Sequence, residues 1–353
     1  MTAQNLLIVV ALIQGVLLVG LMLLILINRW VREWARTRLL PRRAVLDAAM
    51  RGWAMGETDA RFVIRALEDL PQTAAVESLV AWAARVSGER WRTLAVELVP
   101  RPWVARLRQA ARSRAWWKRL RAARFLSVVS APEDLHILGR LLEDDHPAVH
   151  MAAAAALERA PEPSLVALVL QRVPHMTSPV QAYYAAVLRT AHPMAVPLLV
   201  ERLSEVYDPA LSRLVEFAGR LGDAGLREPI TTLADHRSVE VRVQVARALG
   251  GLPHPRSVTA LRALATDAAW EVRAQATRSL GRIADPSSLD PLKARLVDAE
   301  WWVRLRAALA LTRLGASGRD VLLAAEIGPQ ADARYVARLV LGLSAQALAE
   351  FAA

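Results

Sequence analysis

The chain repeats itself every 31 residues, and no other feature constrains its fold as tightly. Three segments read Val241-Arg242-Val243-Gln244-Val245-Ala246-Arg247-Ala248-Leu249-Gly250, Val272-Arg273-Ala274-Gln275-Ala276-Thr277-Arg278-Ser279-Leu280-Gly281 and Val303-Arg304-Leu305-Arg306-Ala307-Ala308-Leu309-Ala310-Leu311. In each, the key Leu stands eight positions after the leading Val. Counting toward the N-terminus at spacings of 30 or 31 lands on Leu211, Val180, Val149 and Lys118, and a weaker copy starts near Ala333. Trp116-Trp117-Lys118-Arg119-Leu120-Arg121-Ala122-Ala123 echoes Trp301-Trp302-Val303-Arg304-Leu305-Arg306-Ala307-Ala308. A unit of this size cannot bury its apolar face alone. Self-similarity at this period therefore predicts a solenoid in which neighbouring units cover one another.

Each unit has a second half. Before the Val-Arg segment comes a Pro- or Ser-led stretch with apolar residues at helical spacing: Leu135, Leu138, Leu141 and Leu142; Val258, Leu261 and Leu264; Leu289, Leu292 and Leu296. An Asp lies in the short loop between the halves, at Asp235, Asp267 and Asp298. There it is placed to cap the second helix by accepting free backbone N–H groups. No segment alternates polar and apolar residues over strand length, so the reading is all-α: an α-solenoid of helix pairs. The Asp loop, the Val-Arg start, the internal Ala and the Leu-Gly end resemble the HEAT repeat family. The likeness is to its short form, seen in phycocyanobilin-lyase-like HEAT repeats, and covers about residues 113–345, extending weakly toward 45. The resemblance implies helix pairs stacked in a right-handed solenoid. It says little of function, because that family hosts scaffolds, adaptors and a few enzymes. Arg242, Arg273 and Arg304 are expected to form a structural ladder with the Asp residues or the carbonyls of adjoining units, rather than a ligand site. Trp270, Trp301 and Trp302 are expected to cover helix ends, although a Trp stripe on the concave face would be a binding surface.

Charge is distributed unevenly. The chain carries a formal +11. Residues 29–130 hold 21 Arg and Lys against 9 Asp and Glu and contain 8 of the 11 Trp, whereas residues 131–353 are nearly neutral. Residues 1–28 are uncharged, with an apolar run from Leu6 to Ile27. At 1.5 Å per residue that run reaches about 33 Å, close to the hydrocarbon thickness of a bilayer. It is too long for a signal-peptide core, and no basic residue precedes it. The expected organisation is therefore a transmembrane anchor over 1–28, a basic Trp-rich juxtamembrane region over 29–112, and a HEAT-like solenoid over 113–353. Arg29, Arg32, Arg36, Arg38, Arg42 and Arg43 follow the run, with Trp30 and Trp34 at interfacial positions. The positive flank predicts a single-pass protein of the inner (plasma) membrane with its N-terminus out and its C-terminal domain cytoplasmic. It also predicts contact with an anionic lipid surface. Gln14 is costly in mid-bilayer, and Ala11 and Gly15 form a small-xxx-small face beside it. Together they predict docking on a helix of the partner or of a second copy of this chain.

The residues supply no catalytic constellation. Cys is absent, which excludes disulfides, thiolate metal sites and Cys nucleophiles. Some HEAT-like proteins are hydroxylases using His-Glu pairs, but none of His136, His146, His150, His175, His192, His236 and His254 precedes a Glu. His146 and His150 have the i, i+4 spacing of two ligands on one helix face, yet Pro147 puts His146 in the loop and no carboxylate motif follows. Gly-Arg-Leu-Gly at 219–222 reads as a helix end and turn, not a phosphate loop. No cofactor and no metal are expected. Arg interleaved with Trp is compatible with nucleic acid, but the excess charge starts where lipid is nearest, so lipid or a protein partner is preferred. The sequence therefore reads as a membrane-anchored, non-enzymatic scaffold. Its partner would be an integral membrane enzyme or transporter, of the class of a polysaccharide-synthesising glycosyltransferase. The alternatives are a HEAT-like enzyme of lyase type or a nucleic-acid-binding protein at the membrane.

Overall fold

The computed structural model describes residues 3–86 and 88–352. All regular structure among them is helical. Two compact units are distinguished, the first closing at Ile137 and the second beginning at Leu138.

The first unit begins with a single helix, Ala3–Met55. It does not stop at the charged junction after Asn28, but continues until Leu46, Met50 and Trp53 are buried near the Ala60–Glu68 helix. Asp59 starts that second helix by accepting from the Arg61 amide. Among the described residues no helix is long and apolar enough to cross a membrane. The expectation of a single-pass inner-membrane protein is thereby overturned. The apolar run belongs to a 53-residue helix that carries on through the charged residues after Asn28.

The Trp residues of the first unit build its core. Trp53, Trp82 and Trp91 are buried. The Trp82 indole N–H donates to Asp47 at 2.7 Å, and the Trp91 N–H donates to the Val128 carbonyl at 2.6 Å. Trp103 meets Phe125 edge-on with centroids 5.2 Å apart. Large amphipathic rings suit short helices, because one side chain buries much apolar area while its N–H finds an acceptor.

In the second unit the helix pairs follow the sequence period. The second helices of the last four pairs are Val239–Leu249, Trp270–Ile283, Trp301–Thr312 and Ala331–Leu341. The first helices between them are Pro255–Leu264, Leu289–Arg295 and Gly315–Ile327. Val241, Val272 and Val303 are fully buried, as are Leu249, Leu280 and Leu311. Farther back Val149, Leu157 and Leu188 are buried too, whereas Val180 is only half-buried.

The Leu-Gly end of the unit has a packing cause. A Cβ on Gly281 would lie 2.5 Å from the Ala310 Cβ and 2.7 Å from its Cα, and a Cβ on Gly250 would meet Ser279 at 2.6 Å. Glycine lets adjacent second helices approach almost backbone to backbone. Gly281→Ala should therefore destabilise. Overpacking a tight contact costs about 1–3 kcal/mol, which outweighs the roughly 1 kcal/mol that Ala gains over Gly in a helix. Urea unfolding showing Gly281→Ala as stable as the parent would exclude so close a contact.

Candidate protein-binding surface

Two kinds of arginine occupy the second helices. The first kind holds the stack together. Arg242 clasps Asp267 of the next unit with two bonds, at 2.7 and 2.9 Å, and Arg273 clasps Asp298 with two at 2.8 Å. The remaining guanidinium nitrogen reaches back into the preceding loop. Arg242 donates to the His236 carbonyl at 2.8 Å, and Arg273 to those of Asp267 and Ala268, both at 2.9 Å. Each Asp in turn fixes its own loop: Asp267 accepts the Ala269 amide at 2.8 Å and Asp298 the Glu300 amide at 3.0 Å. These amides belong to the residues flanking the Trp270 and Trp301 helices, so the Asp braces the turn rather than filling a helix's first free N–H positions.

Burial alone would raise the carboxyls of Asp267 and Asp298. The bonds from Arg242 and Arg273, with the loop amides and nearby positive charges, reverse this and hold both below the usual Asp range. The ladder loosens at its end, where Arg304 donates to the Asp298 and Ala299 carbonyls at 2.7 and 2.8 Å but reaches Asp332 only at 3.7 Å. Asp235 is not a rung. It is exposed, and the position equivalent to Asp267 is His236, whose Nδ1 accepts the Ser238 amide at 3.2 Å. Arg108 forms a like pair in the first unit, with Asp134, at 2.6 and 3.0 Å. Arg119 donates to the Ser113 and Arg114 carbonyls, in the manner of Arg304.

The second kind of arginine faces a cavity. Arg247, Arg278, Arg282, Arg306 and Arg313, with Trp302, line a cavity of about 760 Å³ on the second-helix face of the last repeats. Among the described residues no acidic side chain lies within ion-pair distance of Arg247, Arg278, Arg282 or Arg306. Burial first, and then the charges of Arg278 and Arg247, lower the pKa of Arg306. The site is strongly electropositive: five arginines line it against one carboxylate, that of Glu350. Sequence reasoning passed over these arginines because it attended to the Arg that follows the leading Val of the three clearest copies, five residues earlier than Arg247 and Arg278. The signal was the recurrence at 31 residues of Arg247 with Arg278 and of Arg282 with Arg313.

The other expected positions scatter. Gln14 and Gly15 are exposed, and nothing lies within 4 Å of a Cβ placed on Gly15. Arg29 and Trp30 are exposed. Arg42 bonds to the Asp69 carbonyl at 3.2 Å, and Arg43 pairs with Glu77 at 2.8 Å. The side chains of Ala11, Arg32, Trp34, Arg36 and Arg38 lie outside the described residues. His146 immediately precedes the Pro147–Ala154 helix, while His150 is buried with its Nδ1 3.0 Å from the Tyr184 hydroxyl. Burial, then the charge of Arg172, lowers the His150 pKa, and burial raises that of Tyr184. Among the described residues no group of three or more His, Cys, Asp or Glu could hold a metal.

The comparisons with known proteins bear on the same repeats. The HEAT repeat family model matches residues 196–277, 226–312 and 263–342. Over these segments the chain is similar to HEAT repeats. The matched stretch contains both full Arg–Asp rungs and most of the cavity. No curated protein sequence matches the chain. Among solved structures, human deoxyhypusine hydroxylase is 18% identical, covering 78% of this chain and 97% of its own, with a TM-score of 0.31. The CpcE–CpcF complex of phycocyanin lyase from Nostoc sp. PCC7120 is 19% identical, covering 69% and 96%, with a TM-score of 0.31. Kap121p bound to Pho4p is 12% identical, covering 84% and 41%, with a TM-score of 0.46. At these scores none of them bears on what this chain binds or does.

Proposed function

We propose that the chain is a protein-binding scaffold and not an enzyme. The observation that carries this is Trp302, an indole half-exposed at the rim of the arginine-lined cavity, on helices locked to one another by the Arg–Asp rungs. Trp and Arg are the side chains that most often dominate binding energy at protein interfaces, and a surface held rigid before contact loses little freedom on binding. Trp270, 31 residues before Trp301, adds a second exposed indole in the preceding unit. The buried His150–Tyr184 pair is the nearest thing to a catalytic couple, and it sits where no substrate reaches: Tyr184 is 1% exposed. A membrane enzyme as partner rested on the anchor and is not carried forward.

A photo-cross-linking amino acid placed at 302 or 270 in cells should capture one discrete protein. The same amino acid at Thr259, exposed on a first helix, should capture none. No adduct at 302 and 270, or the same smear from all three positions, would count against the scaffold.

A further inference from the structure

We propose that the arginine-lined cavity binds an extended acidic segment of the partner protein, with carboxylates three residues apart. This rests on the scaffold reading and names the chemistry of what the scaffold takes.

The spacing comes from the repeat. Arg247 and Arg278 occupy the same position in adjacent units, as do Arg282 and Arg313. Packed helices lie about 8–10 Å apart. Three residues of extended chain advance about 10 Å, so a carboxylate at every third position meets one guanidinium per helix. The guanidinium fork pairs with carboxylate through two parallel bonds. Arg306, one turn before the Arg247–Arg278 register on its own helix, is only partly exposed, and donates a long bond to the Ala274 carbonyl at 3.4 Å.

The site is bounded at both ends. Thirty-one residues before Arg247 stands Glu216, which is itself taken up by Arg213 at 2.9 Å and Arg220 at 2.8 Å. One unit later, the position of Arg278 is Leu309. About seven to ten extended residues fit within the site. Glu350, Leu348 and Phe351, on the Ala345–Ala352 helix, form part of the cavity wall. A carboxylate beside apolar and aromatic side chains already lies against this surface, where the crowded guanidinium groups of Arg247, Arg278 and Arg306 leave room for more negative charge.

The test is fluorescence anisotropy on the full chain with three labelled probes. One is a ten-residue peptide with Glu at its first, fourth, seventh and tenth positions among Ser and Ala. The second is its isomer with the four Glu adjacent, and the third is a ten-nucleotide oligouridylate. The spaced peptide should bind best. The double replacement Arg247→Gln and Arg278→Gln, at two exposed positions, should weaken it by at least about tenfold while leaving the thermal transition in place. Equal binding of the two peptides, indifference to the double replacement, tighter binding of the oligouridylate, or no binding of any probe would overturn the proposal. If the peptide fails while cross-linking from 302 still captures a discrete protein, the acidic-segment reading alone is lost. If cross-linking fails, the scaffold reading is lost with it.

Discussion

Replacing Asp298 with Ala should destabilise the second unit by about 3–5 kcal/mol, because it removes one partner of a nearly buried ion pair and leaves the other charge without compensation. The Asp298 side chain is 4% exposed and that of Arg273 14%. The carboxylate serves four groups: two nitrogens of Arg273, Arg295 at 3.3 Å, and the Glu300 amide. Water cannot replace them all. The pH dependence fixes the sign. Asp298 and Asp267 titrate below the ordinary Asp value of 3.8 when folded, so their contribution is present above that value and is lost as pH falls through the folded pKa. Urea unfolding of the parent and of Asp298→Asn should differ most near neutral pH and converge below pH 3.8. A loss under about 1 kcal/mol for Asp298→Ala at neutral pH, or a gap that widens in acid, would show that the rung does not hold the stack.

Leu280→Ala should cost about 2–5 kcal/mol, the loss expected when a fully buried Leu is truncated in a core that closes incompletely. Leu280 has no exposed area, and its neighbours cannot move in to fill the void. The next residue, Gly281, already places two helices almost in backbone contact. Thermal or urea unfolding with a loss under 1 kcal/mol would mean that the eight-residue step from Val to Leu does not mark the buried face.

The repeat was legible because burial selects residues by type and spacing. Val241 to Leu249, Val272 to Leu280 and Val303 to Leu311 are buried at both ends. Where polar residues hold the register position, the pattern misleads: Lys118 is exposed although it falls on the count. Bonding partners were less legible. Asp235 looks like Asp267 in sequence, but one position of shift hands its place to His236, and only the geometry of the loop reveals the exchange. The basic Trp-rich region was read as a surface, yet Trp53, Trp82 and Trp91 are core, since composition does not say which way an indole faces. The apolar N-terminal run was read as a membrane span in isolation, but it belongs to a helix that continues to Met55. The cavity was invisible because its arginines come from three separate helices.

The rungs also grade the mechanics of the second unit. A bidentate Arg–Asp pair resists both sliding and rotation of one helix against the next, since its two parallel bonds cannot lengthen together without losing both. Guanidinium holds this position in Arg242 and Arg273, whereas the preceding three units carry His150, Gln181 and Ser212 instead. Those side chains bond to the Tyr184 hydroxyl, the Val173 carbonyl and the Pro209 carbonyl, each through a single contact. Two-bond clasps thus brace the C-terminal repeats, while the earlier ones are joined by single bonds such as Arg213 to the Met176 carbonyl and Tyr183 to the Met151 carbonyl. The spacing of the basic cavity is therefore set by the clasped repeats, which carry Arg247, Arg278 and Arg282.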